Sequence, residues 1–433
     1  MLTRRQLTQL LLAAPFAARA AVTPKAPVLL TVNGVSVSSG ANINLSALPA
    51  GGTAAAANQS AYAALNVSAM AAGANFKDPV TGVKTVKLTD SAHPASGQWC
   101  NEYSTLGIQI SQAWGPNLDQ YTLVVLNTTS GGMYAMDYKL GGTVSNYRSI
   151  PGKEGCVSFS RKAGWATILY IATPTQLEMY DTAKNAYANV APFPHNWSTG
   201  NMTWLQLNTA ETWATALTPG NQATALNIAT GAVLTQSVSN LNELYSGDQN
   251  VALLNAGTCY AWDLDTNVVT KVTLPGGASL PFHCATLRGF WATYDTNQGD
   301  GVLPVRAITD AAAASISGTI TGYWGQMHSC GHWRNGSGTN QWFLTSTWDN
   351  GSAWSPWMQY NNIFVDAGTG ATHVLGGHYS AATLSGNNSG GTNAYRSQPH
   401  ATQSADGKLV IFSSNMLNGP RIDTFLMEVP TSS

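Results

Sequence analysis

A short strand hairpin, built around an Asp-rich or Thr-Gly turn, recurs seven times along this 433-residue chain, and the last copy spans Gln398 to Pro430. Tyr180 to Asn185, Asn227 to Gly231, Asp263 to Asn267 and Asp366 to Gly370 each separate two runs of strand-forming residues. Their spacing is near the ~40–50 residues of blade repeats. A chain punctuated in this way is expected to be all-β, a seven-bladed β-propeller.

The blades are read as follows. Glu102 to Ser149 forms the first, with Tyr121 to Asn127 its clearest strand, and Gly155 to Ala191 the second. Met202 to Val238, Leu241 to Leu274, Pro281 to Gly318 and Gly325 to Leu375 form the next four. The seventh has three strands of its own, Pro399 to Gln403, Leu409 to Ser413 and Asp423 to Val429. Val83 to Leu88 alternates apolar with basic residues as a half-exposed strand should, and is expected to close the last blade by supplying its fourth strand, leaving no free sheet edge. Residues 78–433 then make the propeller domain. Residues 21–77, rich in Ala, Ser and Gly, read as a linker or N-terminal decoration, with a β-like run at Val28 to Val32 and a helical patch within Ala54 to Ala72.

Residues 1–20 read as a twin-arginine export signal: Thr3-Arg4-Arg5-Gln6-Leu7, an apolar run from Leu10 to Phe16, then Ala18-Arg19-Ala20 as the cleavage site. The apolar run is far shorter than the ~20 residues that span a bilayer. A periplasmic or secreted protein, without membrane insertion, is expected.

Charged residues make up 9% of the chain, against ~25% in typical soluble domains. Without Arg4, Arg5 and Arg19 there are 17 basic and 21 acidic side chains, a net charge of −4. Such a surface offers no field for nucleic acid. A neutral polar surface with many aromatics suits carbohydrate, whose CH faces stack on rings while its hydroxyls bond amides; the same aromatics also fill blades. Cys100, Cys156, Cys259, Cys284 and Cys330 are too few and too unevenly spaced for a disulfide framework, and read as buried small apolar residues, with a bridge or soft-metal role open to Cys284 and Cys330. A monomer is expected.

Ligands of propellers bind where segments enter the innermost strands. Those segments carry Glu102 and Tyr103, Trp204 and Gln206, Asn242 and Glu243, His283, His328 with His332 and Arg334, and Gln398 with His400. A period of two places Arg396, Gln398 and His400 on one face, and His378 in the preceding connection can join them. Imidazole with amide or carboxylate oxygen suits a divalent ion such as Mn, Ca, Fe or Zn, with Mn or Ca expected. A histidine taken alone is more often hydrogen-bonded scaffolding than a metal ligand; it is the clustering of three or more that points to a metal. No Gly-rich nucleotide loop, nucleophile elbow, helical metalloprotease motif or CxxCH haem site occurs.

Asp78-Pro79-Val80-Thr81-Gly82 leading to Lys87-Leu88-Thr89, and the stretch Gln398 to Asn415 containing Ser404-Ala405-Asp406-Gly407-Lys408, resemble the opening and closing segments of oligogalacturonate-lyase-like and TolB-like propellers. The resemblance covers residues 78 to the end. It implies a manganese ion held by His328 with Gln398 and His400. This chain has one histidine after Gln398 where the family has two, which leaves His378 or His332 to substitute.

The activity so implied is cleavage of a uronate-containing glycan by metal-assisted β-elimination, with an acidic oligo- or polysaccharide as partner. A cation, the metal or Arg396, must neutralise the uronate carboxylate before the weakly acidic proton beside it can leave. His283 is the candidate base and Tyr103 the candidate donor to the leaving oxygen. Glu102, Trp204, Gln206, Asn242, Glu243, His332 and Arg334 are candidate substrate contacts. Two other readings stay open: a non-catalytic glycan- or protein-binding propeller, and a hydrolase using Glu102 and Glu243 as a carboxylate pair.

Overall fold

The structure is a computed structural model that describes residues 30–32, 35–37, 43–101, 108–162, 164–188, 190–198, 200, 203–208, 210–246, 250–272, 285–287, 290–292, 305–307, 327–330, 342–347, 356–366, 370–381, 396–417, 419 and 421–431. Among them the protein is all-β, with one short α-helix, Gln59–Ala64. Seven antiparallel sheets of three to five strands follow one another along the chain, a propeller-like arrangement, and a separate hairpin joins Leu30–Val32 to Val35–Val37. No described helix is long and apolar enough to cross a membrane.

One local device builds the hairpins. In the turns at Asn127, Asp181, Asn227 and Asp263 the side-chain Oδ1 accepts the backbone N–H groups two and three residues on. The fifth residue of each turn is left-handed, and is either Gly or Asn: Gly131, Asn185, Gly231 and Asn267 have φ of 71°, 52°, 74° and 58°. Asp or Asn thus satisfies donors that the strands cannot, and Gly or Asn takes the backbone region other residues avoid. Asp366 and Gly370 (φ 73°) share the spacing, and the Gly370 N–H donates to the Asp366 carbonyl at 2.9 Å.

The first sheet opens at Trp99–Cys100, earlier than Glu102, and continues through Gln120–Asn127, Met133–Lys139 and Val144–Ile150. The fifth is described only as Ala285–Leu287, Phe290–Ala292 and Val305–Ala307; the rest of that expected blade lies outside the described residues.

The last sheet joins the two ends of the chain. Its order is Thr402–Gln403, Leu409–Ser414, Asp423–Glu428, Lys84–Lys87 and Asn75–Lys77, with Phe425 opposite Lys87 and Met427 opposite Thr85. The expected pairing of the Val83–Leu88 segment is therefore present. Its expected half-exposure is not, because Asn75–Lys77 covers the edge and Lys87 is fully buried. Lys87 Nζ donates to the carbonyls of Val67 (3.0 Å) and Ser68 (3.2 Å).

Residues 43–77 lie along the last two sheets. Ile43 bridges Thr431, Ala50 bridges His373, and Leu45, Leu48, Tyr62, Val67 and Phe76 share one apolar cluster with Phe364, Leu375, Phe412 and Phe425. The helix Gln59–Ala64 is started by Asn58, whose side chain accepts the Ala61 N–H, and it presents Tyr62 to Tyr379 in a stacked pair at 3.9 Å. Cys100, Cys156 and Cys259 are buried, Cys100 and Cys259 in strands and Cys156 just before the strand Val157–Phe159, and burial pushes the Cys259 thiol above its ordinary pKa.

Candidate functional site

The segment 396–401, leading into the inner strand Thr402–Gln403, is held from three sides. The Ser413 N–H donates to the Pro399 carbonyl at 2.8 Å, Asn101 Nδ2 donates to the His400 carbonyl, and the Ser380 hydroxyl donates to the Ser397 carbonyl. Asn101 is itself fixed by Ser413, whose hydroxyl donates to Asn101 Oδ1 at 2.6 Å. Asn415 takes the Ala381 N–H at 2.8 Å and returns a bond to the Ala381 carbonyl at 2.6 Å. His400 sits at φ 42°, a left-handed conformation uncommon outside glycine though less so for histidine than for most residues.

Two of the three residues expected to share a face meet. Gln398 Oε1 lies 3.3 Å from His400 Nε2, with both residues buried. One amide oxygen and one imidazole nitrogen at that separation are of the right type for neighbouring ligands of a divalent ion, with a proton between them when they bond to each other. Among the described residues no group of three or more His, Cys, Asp or Glu side chains is placed to hold a metal. His328 belongs to the strand Met327–Cys330, whose backbone alone is described.

His378 is completely buried, and its Nδ1 accepts the Ser380 N–H at 3.0 Å. A neutral imidazole whose Nδ1 lone pair is engaged carries its proton on Nε2. Ligating histidines do the reverse, donating from one nitrogen to an acceptor while the other binds the metal. The sequence did not disclose this bond.

Arg396 turns to a different partner. Its Nη2 lies 2.7 Å from Glu154 Oε2, while Nε and Nη1 are buried with no hydrogen-bond partner among the described residues. Arg396 is 9% exposed. Glu154 sits in the connection between the first and second sheets and its side chain is 40% exposed. Guanidinium N–H groups left open in this way are of the type that bonds a planar anion. Glu154 escaped the sequence reading because a lone glutamate in a Gly-flanked loop carries no pattern; its position between two successive blades was the one available signal.

The candidates of the third and fourth sheets are placed differently. Gln206 spans to the next sheet, its Nε2 donating to the Leu244 carbonyl at 2.7 Å and its Oε1 accepting the Ser246 N–H at 2.6 Å. Glu243 is buried and accepts from the Tyr245 hydroxyl and from Asn255 Nδ2 at 3.2 Å. Both amide ends of Gln206, and Glu243 Oε2, are thus occupied by protein. Asn242 is exposed. Trp204 is half-buried at φ 69°, on the strand Thr203–Leu207 where its pairing is irregular, and meets Tyr245 edge-on at 6.1 Å. Glu102, Tyr103, His283, His332 and Arg334 lie outside the described residues.

Glu211 is a further buried carboxylate that the sequence did not single out. Burial pushes its pKa up, opposed by the nearby Arg161 charge and the Ser160 hydroxyl, which donates to it at 2.8 Å.

No family model matches the chain, and no curated protein matches it. Solved structures do. An oligogalacturonate lyase in complex with manganese is similar over 83% of this chain and 99% of its own, at 12% identity and a TM-score of 0.56. An oligogalacturonate lyase from Vibrio parahaemolyticus gives 12% identity and a TM-score of 0.55 over the same shares. At that identity the likeness establishes the fold, and the resemblance read at the two ends of the chain agrees with it.

Proposed function

We propose that this chain is an exported seven-bladed propeller, closed by its strand Lys84–Lys87 in the last blade, which binds acidic glycans and cleaves them beside a uronate by metal-assisted β-elimination. The observation that carries the reading is Arg396: a buried guanidinium with two nitrogens unspent among the described residues, two residues before the Gln398–His400 pair. β-Elimination needs positive charge at the uronate carboxylate, because the proton beside it is removed only when the enolate-like charge is stabilised. The fold shared with lyases, one of them in complex with manganese, supports the same reading.

In this reading Arg396 orients the sugar through its carboxylate. Gln398, His400 and His328 are the residues that would hold a divalent ion, manganese or calcium, which when bound adds Lewis-acid charge at the same carboxylate. The roles of His283 as base and Tyr103 as donor to the leaving oxygen rest on their places in the sequence, His283 ahead of the strand Ala285–Leu287 and Tyr103 just after the opening strand Trp99–Cys100. Trp204, half-buried beside Tyr245, can offer a ring face to a sugar. His378, Gln206 and Glu243 are left out of the proposed chemistry, since His378 Nδ1, both amide ends of Gln206 and Glu243 Oε2 are bonded within the protein.

The alternative is a glycan-binding propeller without turnover, favoured by the bond that engages His378 Nδ1. The hydrolase reading loses ground because Glu243 is buried and bonded within its own sheet. The test is incubation of the mature protein with a panel of uronate polysaccharides and oligosaccharides, with and without chelator, following the ultraviolet absorbance of unsaturated uronate ends. Growth that chelator abolishes is expected. A flat trace from folded protein that still binds a uronate oligosaccharide would overturn the lyase in favour of the binder.

A further inference from the structure

Arg396 and Glu154 reach each other from two separately held backbones. Glu154 is the second residue of a tight turn that the Cys156 N–H closes on the Lys153 carbonyl at 3.0 Å, with Gly155 left-handed at φ 68° as the third position of a type II turn requires. The turn is pinned on both sides: the Ala172 N–H donates to the Cys156 carbonyl at 2.9 Å within its own sheet, and the Leu205 N–H donates to the Gly155 carbonyl at 2.7 Å from the next one. Arg396 opens the segment that the Ser380 hydroxyl and the Ser413 N–H hold in place. The first sheet stands between the two, bonded by the Asn101 N–H to the Ser413 hydroxyl at 3.0 Å and by the Ile108 N–H to the Ser158 hydroxyl at 3.1 Å. The ion pair therefore ties the last sheet to the second, past the first. Of the two hydrogens on Nη2, one lies on the edge shared with Nε and one on the edge shared with Nη1. Glu154 Oε2, at 2.7 Å, takes one of them, and Nε and Nη1 have no partner among the described residues. Whichever edge Glu154 occupies, the other stays complete, with two parallel donors.

We infer that Glu154 is a positioning residue: it holds the Arg396 guanidinium by one corner and so keeps a whole two-donor edge set for the uronate carboxylate. The inference rests on the reading of Arg396 as carboxylate receptor, and adds what holds that receptor in place. Glu154 acts on an incoming anion in two opposed ways. Its charge repels the anion, but its side chain is 40% exposed and water screens that repulsion. Its bond removes in advance the rotamer freedom that Arg396 would otherwise lose on binding, a cost of roughly 3- to 10-fold in affinity for one long side chain. The second effect is the larger, and its sign is that Glu154 strengthens binding of an acidic sugar.

The test measures galacturonate, which has no glycosidic bond to cleave, against its neutral twin galactose, by calorimetry or ligand-observed NMR on the mature full chain, with the melting of each variant followed alongside. Glu154→Ala removes the acceptor, and Glu154→Asp keeps the charge but falls one methylene short. Each is expected to bind galacturonate roughly 3- to 10-fold more weakly than the parent. Glu154→Gln keeps an acceptor oxygen at full reach and is expected to restore the parent's affinity. Galactose affinity is expected to stay the same in all three. A role through charge alone would give another order, with Glu154→Ala and Glu154→Gln both tighter than the parent and Glu154→Asp equal to it. If Glu154→Ala binds galacturonate no more weakly than Glu154→Gln, or Glu154→Asp equals the parent, while the parent prefers galacturonate to galactose, the inference fails alone. If the parent has no such preference, the reading of Arg396 as carboxylate receptor fails and takes the inference with it.

Discussion

Lys87 and Asp423 form an ion pair at 3.1 Å with side chains 1% and 0% exposed, joining the strand that precedes the sheets to the strand that ends the last one. All three ammonium donors have partners, two of them the Val67 and Ser68 carbonyls. Asp423 is likewise filled, taking the Thr89 hydroxyl at 3.2 Å and the Arg421 guanidinium. Asp423→Asn strands the Lys87 ammonium in the interior and is therefore expected to cost about 3–5 kcal/mol, whereas Lys87→Met leaves Asp423 its Arg421 partner and is expected to cost less. The double variant should cost less than the two singles combined. Denaturant unfolding of the three variants measures this; singles within the noise of the parent would mean that the pair is not what fastens the chain ends.

Tyr62 gives the matching prediction for residues 43–77. Its ring stacks on Tyr379 at 3.9 Å and meets Phe76 edge-on at 5.8 Å, inside the cluster shared with the last two sheets. Tyr62→Ala is expected to destabilise by about 3–5 kcal/mol. Were residues 43–77 a loose tether, thermal melting of this variant would superimpose on the parent.

Much of the fold was legible because the hairpin turn is local. An Asx side chain and a left-handed Gly or Asn, a few residues apart, specify the turn wherever they occur, and the strands follow by alternation. What stayed hidden depends on partners remote in sequence. Lys87 looks like a solvent-facing lysine until Asp423, more than three hundred residues on, is brought beside it. Gln206 and Glu243 stand at inner-strand positions as ligands would, and strand period gives the face of a side chain without saying whether the next sheet, for Gln206, or its own sheet, for Glu243, already uses it. The period-two reading of 396–400 places Gln398 beside His400, and the two do touch, but at a helix end followed by a left-handed residue rather than along a strand. It could not show that Arg396 would find Glu154 across two connections.

Asp90 yields a pH prediction. Partial burial alone would raise its pKa, but the N–H groups of Ala72, Ala92 and His93 and the His93 ring all bond to its carboxylate and together bring it down to about 2. A carboxylate with a depressed folded-state pKa stabilises the fold above its ordinary value of 3.8 and loses that contribution as pH falls through about 2. Asp90→Ala is thus expected to lower stability by about 1–2 kcal/mol at neutral pH. Between pH 4 and pH 2 the difference from the parent should shrink toward nothing. Melting temperatures of both proteins across that range check the sign, and a gap that widens in acid would refute it.

Gln206 separates a structural role from a binding one. Its amide joins the third sheet to the fourth through the Leu244 carbonyl and the Ser246 N–H, and the residue is 7% exposed. Gln206→Leu fills similar space but leaves a backbone donor and a backbone acceptor buried without that partner, an expected loss of about 1–3 kcal/mol for each. Glycan affinity per folded molecule should not move, because neither end of the amide is free to reach a sugar. Chemical denaturation and a uronate-oligosaccharide titration, made on the same preparation, decide between the roles. Stability kept with affinity lost would return Gln206 to the binding surface, and stability lost with affinity kept would fix it as the tie between neighbouring sheets.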